Sequence, residues 1–282
     1  MFRKLFLFIA VLALATLACG FNIDVPQKAQ PGPEVVDDIN VAYPDVDETN
    51  LKLSFGAGDL KLSPGGEALV DGTATYNYKE FKPEIVTDGG DIQVKMGNFS
   101  VNFLPSFDDL KNEWDFKLGT QPMNLTVESG AYEGTFEFGG LSLTSLTVKD
   151  GAADVDLAFS EPNQVEMSSF NYSTGASDVK MTGLANANFS IFDFSSGAGD
   201  YTLDFSGDLQ RDASIKIETG FSNIILVIPE GVDAVVRVES GASNINAGSS
   251  WGQNGNVYRQ KGEGPTLTFV VEMGAGNLTL TK

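Results

Sequence analysis

Histidine is absent from the 282 residues, and Cys19 is the single cysteine. Without them there can be no Cys/His zinc site, no Ser-His-Asp triad and no disulfide within the chain. General acid–base chemistry would fall to carboxylates, lysine or tyrosine. Positive charge is scarce: 18 Lys and Arg stand against 38 Asp and Glu, a formal net charge of −20. Nucleic acid is therefore a poor partner, because counterion release needs clustered cations. No glycine-rich loop ends in Gly-Lys-Ser/Thr, so no phosphate cradle is expected, and nothing among the acids singles out a pair for glycoside hydrolysis. The expectation is a protein without catalytic residues and without a cofactor.

Long apolar runs are also lacking, with one exception at the start. Arg3 and Lys4 precede fourteen mostly apolar residues, Leu5 to Ala18, which is too short a run to span a bilayer. Charge followed by a short apolar run reads as a secretory signal over residues 1–18. The run ends in Thr16-Leu17-Ala18-Cys19-Gly20, which resembles a bacterial lipobox with Cys19 as the lipidated residue. Its leucine lies two residues before the cysteine, where three is usual, and simple cleavage after Ala18 is the alternative. Residues 19–50 carry Pro26, Pro31, Pro33 and Pro44 among acids, a composition expected to form a flexible, solvated tether. The protein is thus expected to be exported and held at a cell membrane or outer surface through a lipid anchor.

What the chain has in abundance is one short motif. FGAGDLKL begins at Phe55, SGAYEGTF at Ser129, DGAADVDL at Asp150, TGASDVKM at Thr174 and SGAGDYTL at Ser196. TGFSNIIL, SGASNINA and MGAGNLTL follow from Thr219, Ser240 and Met273. From Gly130 to Gly241 the motif glycines are 21 to 24 residues apart, and the step to Gly274 is 33. Such a period signals a stacked array. After each Asp or Asn the residues alternate, as in Tyr201, Leu203 and Phe205 against Thr202 and Asp204, the pattern of a strand buried on one face. A second alternating strand precedes each motif, as in Ile215 and Ile217 or Val236 and Val238. Each repeat is expected to be strand, tight corner, strand, wider turn. The corner glycines Gly56, Gly151, Gly175, Gly197, Gly220, Gly241 and Gly274 are expected to adopt positive φ, and the Asp or Asn to cap nearby N–H groups.

In-register stacking would align Glu133, Asp154, Asp178 and Asp200, followed by Asn223, Asn244 and Asn277. Local capping of these acids is the preferred reading. Cation binding at Asp154, Asp178 and Asp200 is the weaker alternative, since calcium-binding β-rolls place Asp at a nine-residue repeat. The insertion SSWGQNGNVYRQKGEGP brings Trp251, Tyr258, Arg259 and Lys261 together on an acidic protein. It reads either as a partner-binding loop, since Trp, Tyr and Arg are common anchors, or as a solvated loop with a ring tucked on the array end.

From Leu51 onward the chain resembles the bacterial toast-rack proteins. The resemblance rests on LKLSFGAGDLKLSPG, NEWDFKLG, MNLTVESGA, LVIPEGVDAVVRVESGASNINA, and above all GLANANF joined to GAGDYTLDFSG. It implies an all-β fold of stacked short strands, akin to a β-solenoid or single-stranded β-helix, without catalytic residues. It also implies kinship with adhesin-like β-repeat domains and with extracytoplasmic domains of proteins that respond to cell-wall antibiotics. Residues 51–119 are expected to form a first toast-rack region and cap, carrying Phe99, Phe103, Phe107, Trp114 and Phe116, and residues 120–282 the repeat array. Two roles follow as expectations: adhesion, envelope scaffolding or ligand presentation, with an envelope protein or polysaccharide as partner; alternatively, envelope-stress sensing through a membrane signalling partner.

Overall fold

The structure is a computed structural model that describes residues 30–46, 48–97 and 110–282. It is built from strands. In chain order the first are β1 (Val35–Val41), β2 (Thr49–Pro64), β3 (Val70–Tyr76), β4 (Pro83–Asp88), β5 (Asp91–Met96) and β6 (Asn112–Leu118). The repeats follow as β7 (Met123–Glu137), β8 (Leu143–Ala158), β9 (Met167–Thr182), β10 (Phe189–Asp204), β11 (Ala213–Val227) and β12 (Asp233–Ala247). A small hairpin, β13 (Gly252–Asn254) and β14 (Val257–Gln260), leads to the last strand, β15 (Thr266–Thr281).

The eight motif copies lie in β2, β7 to β12 and β15, each a strand of 15 or 16 residues. These are the rungs of a parallel array. Each rung is one strand running through the motif, not two short ones, because the inter-rung ladder continues across the corner: Ala198 faces Ala176 and Phe221, and Asp200 faces Asp178 and Asn223. The rung is nevertheless folded. Phe192 and Phe205 would lie about 43 Å apart in a straight strand, yet their ring centroids are 6.4 Å apart. Phe194 and Tyr201, on either side of the motif, meet edge to face at 4.9 Å. Both arms therefore turn their apolar rows onto one core, in which Phe192, Phe194, Tyr201 and Leu203 are at most 1% exposed. Aromatic rings also stack from rung to rung, Phe170 on Phe192 at 4.6 Å and Tyr172 on Phe194 at 5.5 Å. Such pairs contribute about 0.5–1.5 kcal/mol each beyond their burial.

The reason for the motif glycine differs from the expectation. Gly56, Gly151, Gly175, Gly197, Gly220, Gly241 and Gly274 all lie outside the positive-φ region. What requires glycine is the next rung: a Cβ on Gly197 would lie 2.5 Å from the carbonyl oxygen of Gly175, and one on Gly220 2.6 Å from that of Gly197. Positive φ belongs instead to the second glycine of the Gly-Ala-Gly copies, at Gly58, Gly199 and Gly276.

The array's order also departs from chain order. β15 lies between β11 and β12, so the last strand in sequence is the penultimate rung. At the other end β2 is continued by β5 beside its first arm and β6 beside its second, with β4, β3 and β1 outside them. Trp114 and Phe116 of β6 are buried in this end layer, whereas Phe99, Phe103 and Phe107 lie outside the described residues. Part of the expected tether is structured: β1 pairs antiparallel with β3 and buries Ile39 and Val41, so residues 35–41 belong to the sheet. Alternation of Ile39 and Val41 with polar residues outweighs the acidic composition there.

Buried asparagines join the wide turns of successive rungs. Asn163 accepts the Leu143 N–H and donates to the carbonyls of Leu143 and Val165. Asn186, in the GLANANF stretch, donates to Phe159 and accepts the Asp208 N–H. These bonds explain why that stretch combines αL residues, Gly183 and Asn188, with a buried turn.

Candidate functional site

The corner carries an exposed row of polar side chains whose order follows the rungs: Asp59, Glu133, Asp154, Asp178, Asp200, Asn223, Asn277 and Asn244. Asn277 precedes Asn244 because β15 is inserted before β12. The row is bonded within itself along part of its length. Asn223 donates to Asp200 at 2.7 Å, Asn277 donates to Asn223 at 2.6 Å, and the Asp200 N–H reaches the Asp178 carboxylate at 3.4 Å. Burial, then the nearby Asp178 and Asp156, push the Asp154 carboxyl above the usual carboxylate range. Among the described residues no group of three Asp, Glu, Cys or His is placed to hold a metal ion. Acids one per rung form a line with strand spacing and do not converge on one point, which is why Asp154, Asp178 and Asp200 do not make a chelating set.

Two further positions stand out once the copies are aligned by rung. The residue before the motif glycine is small or apolar in seven copies, and in β8 it is Asp150. Its carboxylate lies within the core edge, accepts the Tyr132 hydroxyl at 2.7 Å and also accepts the Tyr172 hydroxyl. Burial raises the Asp150 carboxyl and the two phenolic bonds partly oppose this; burial likewise pushes both phenols up. The residue after the glycine is alanine in seven copies and Phe221 in β11, where the ring is 70% exposed between Ala198 and Ala275. Either exception could have been found by comparing the copies column by column.

The insertion after β12 is a cap. Trp251 and Tyr258 are 8% and 6% exposed and belong to the core, so the rings are not displayed as anchors. β14 pairs antiparallel with the first arm of β12, and the buried Gln260 side chain donates to the carbonyls of Pro229 and Val232. Arg259 and Lys261 remain exposed. The end of an apolar stack needs covering, and over the first arm of β12 this hairpin does it.

The geometry defines a class: a parallel β-array whose rungs each fold once over a shared core, with the repeated motif consumed by the fold line. Residues 30–171, just over half of the chain, match the N-terminal domain of toast_rack (DUF2154), and the chain belongs to that family. No curated protein matches it. Among solved structures it is similar to a candidate cell adhesion protein from Clostridium sporogenes, at 22% identity over 89% of this chain and 99% of that one, TM-score 0.48. It is also similar to a candidate adhesin from Bacteroides fragilis, at 11% identity over 89% and 99%, TM-score 0.40. A candidate lipid binding protein from Parabacteroides distasonis is similar at 10% identity over 91% and 100%, TM-score 0.37.

Proposed function

We propose that this toast-rack protein is exported, anchored to a membrane by lipid on Cys19, and non-catalytic, and that it presents its array in adhesion or envelope scaffolding. One observation carries the reading: the polar groups that the array brings together are bonded to one another and to its backbone. Asp150 is held by two phenols, the corner row is bonded from Asp178 to Asn277, and Asn163 and Asn186 join the turns. A partner, an envelope protein or polysaccharide, would meet the exposed rows. The signal and lipobox residues, Cys19 among them, lie outside the described residues, and no described helix is long and apolar enough to cross a membrane. Lipidation on more than one chain gives stable attachment, each buried CH₂ contributing about 0.8 kcal/mol. Cys19→Ser should therefore move the protein from the membrane to the soluble exported fraction. Retention in the membrane would overturn the anchor. Capture of envelope protein or polysaccharide by the anchored chain tests presentation, and turnover of a polysaccharide by it would overturn the non-catalytic reading.

A further inference from the structure

Rung β12 ends the array, and its two arms are finished differently. The first arm is paired by β14 over Ala234–Arg237, and Val236 and Val238 are 0% and 3% exposed. The second arm, residues 242–247, pairs with β15 on one side, and among the described residues no strand pairs with it on the other. The core is open at the same place. Ile224, Leu226, Leu278 and Leu280 are at most 1% exposed, yet Ile245 and Ala247, next in the same rows, are only half-buried. Edge strands are ordinarily blunted by charge, proline, a bulge or a cover. The edge Ala-Ser-Asn-Ile-Asn-Ala has none of these.

Charge indicates what can cover it. The second arms of β7 to β10 carry Glu133, Glu137, Asp154, Asp156, Asp178 and Asp200 among others, whereas those of β11, β15 and β12 carry no charged residue from 221 to 227, 275 to 281 and 242 to 247. On a chain of net charge −20, this second arm is an edge that the same arm of an identical chain can approach without facing acids against acids. The acids of the end rung, Asp233 and Glu239, lie on its first arm. The chain's own remaining segments join elsewhere. Residues 98–109 connect β5 to β6 and residues 1–29 precede β1, and those three strands are at the opposite end of the sheet order. A second rung edge, by contrast, arrives already extended and costs little ordering.

We propose that Ala242–Ala247 is a self-association edge. It pairs antiparallel with the same arm of a second copy about a two-fold axis, which joins the arrays into one sheet, covers Ile245 and Ala247, and closes at the dimer. This pairing goes beyond the anchored, presenting role and does not depend on the anchor.

Sedimentation equilibrium of the full chain tests it, in detergent where the chain is membrane-retained. The native chain should dimerise. Asn244→Asp with Asn246→Asp, both at exposed positions, would set like charges opposite one another and should raise the dimer dissociation constant about tenfold or more, with an unchanged melting temperature at concentrations where both chains are monomeric. Thr87→Asp, on the exposed β4 at the other end, should leave the dimer intact. As an independent readout, a mixture of Asn244→Cys and Asn246→Cys chains, each in a Cys19→Ser background, should form an intermolecular disulfide, since these two exposed positions face one another or themselves across the axis. A native chain that stays monomeric, a dimer indifferent to the paired acids, a dimer weakened by Thr87→Asp, or no disulfide in the cysteine mixture would each overturn the proposal.

Discussion

At the scale of the residue, the motif glycine and Asp150 make the sharpest claims. Gly197 is glycine because the Gly175 carbonyl occupies the space of a Cβ, so even Gly197→Ala should force the rungs apart. Overpacking of this kind costs about 1–3 kcal/mol, read as a lower urea midpoint; an unchanged midpoint would mean that the rungs yield freely. Asp150→Ala would strand the Tyr132 and Tyr172 hydroxyls without their acceptor. An unsatisfied buried polar group costs about 1–3 kcal/mol, and equilibrium unfolding should show a loss of at least that size. The Gly-Ala-x-Asp/Asn repetition was plain in the sequence, but its steric cause was not. A glycine chosen for positive φ and one chosen for contact with another strand are written identically.

At the scale of the element, the hairpin β13–β14 separates a cap from a binding loop. If Trp251 closes the core, Trp251→Ala should destabilise by about 3–5 kcal/mol. Arg259→Ala and Lys261→Ala, at exposed positions, should stay within about 0.5 kcal/mol. Thermal and denaturant unfolding of the three variants checks this, and a fully stable Trp251→Ala would return the ring to the role of a displayed anchor. Strand alternation was legible throughout, from Val155 and Leu157 to Leu278 and Leu280. The fold-back of each rung was legible as a corner, because apolar residues on both sides of one short motif must reach the same core. That the ladder resumes in the same register beyond the motif glycine, so that each rung is one strand, was not, since it depends on the neighbouring rung.

At the scale of the whole molecule, charge sets the response to pH and ions. Burial, with neighbouring acids, raises the carboxyls of Asp59 and Asp154, and burial raises that of Asp150. A folded-state value above the unfolded one favours folding most below the unfolded value, and the gain is lost as pH rises through the folded value. The melting temperature should therefore rise as pH is lowered from 7 toward about 5, and Asp150→Asn should reduce the rise. Glu128 acts in the other direction: its bond from Lys52, the largest cause, lowers its carboxyl, so that stabilisation persists until the medium falls through the folded value. The gain thus precedes the loss on acidification. A melting temperature that falls steadily from neutral pH would contradict this. Calcium and chelator should leave the melting temperature equal, because the corner acids form a line and not a chelating set; a calcium-dependent rise abolished by Asp154→Asn with Asp178→Asn would reverse that conclusion.

The sequence by itself determined the all-β class, the rung length, the inward rows and the register that aligns Asp154, Asp178 and Asp200, because each follows from a period and an alternation carried locally. Only the tertiary structure decided which rung lies beside which. Parallel rungs with similar apolar rows are interchangeable neighbours, so local pattern is degenerate for order. Burial distinguishes them: β15 brings Phe269, Val271, Leu278 and Leu280 to the core and is enclosed, while β12 brings Ser243, Ile245 and Ala247 on its second arm and is left at the end. Enclosing the more apolar rung removes more apolar surface from water. That comparison between distant strands exists only once the chain has folded.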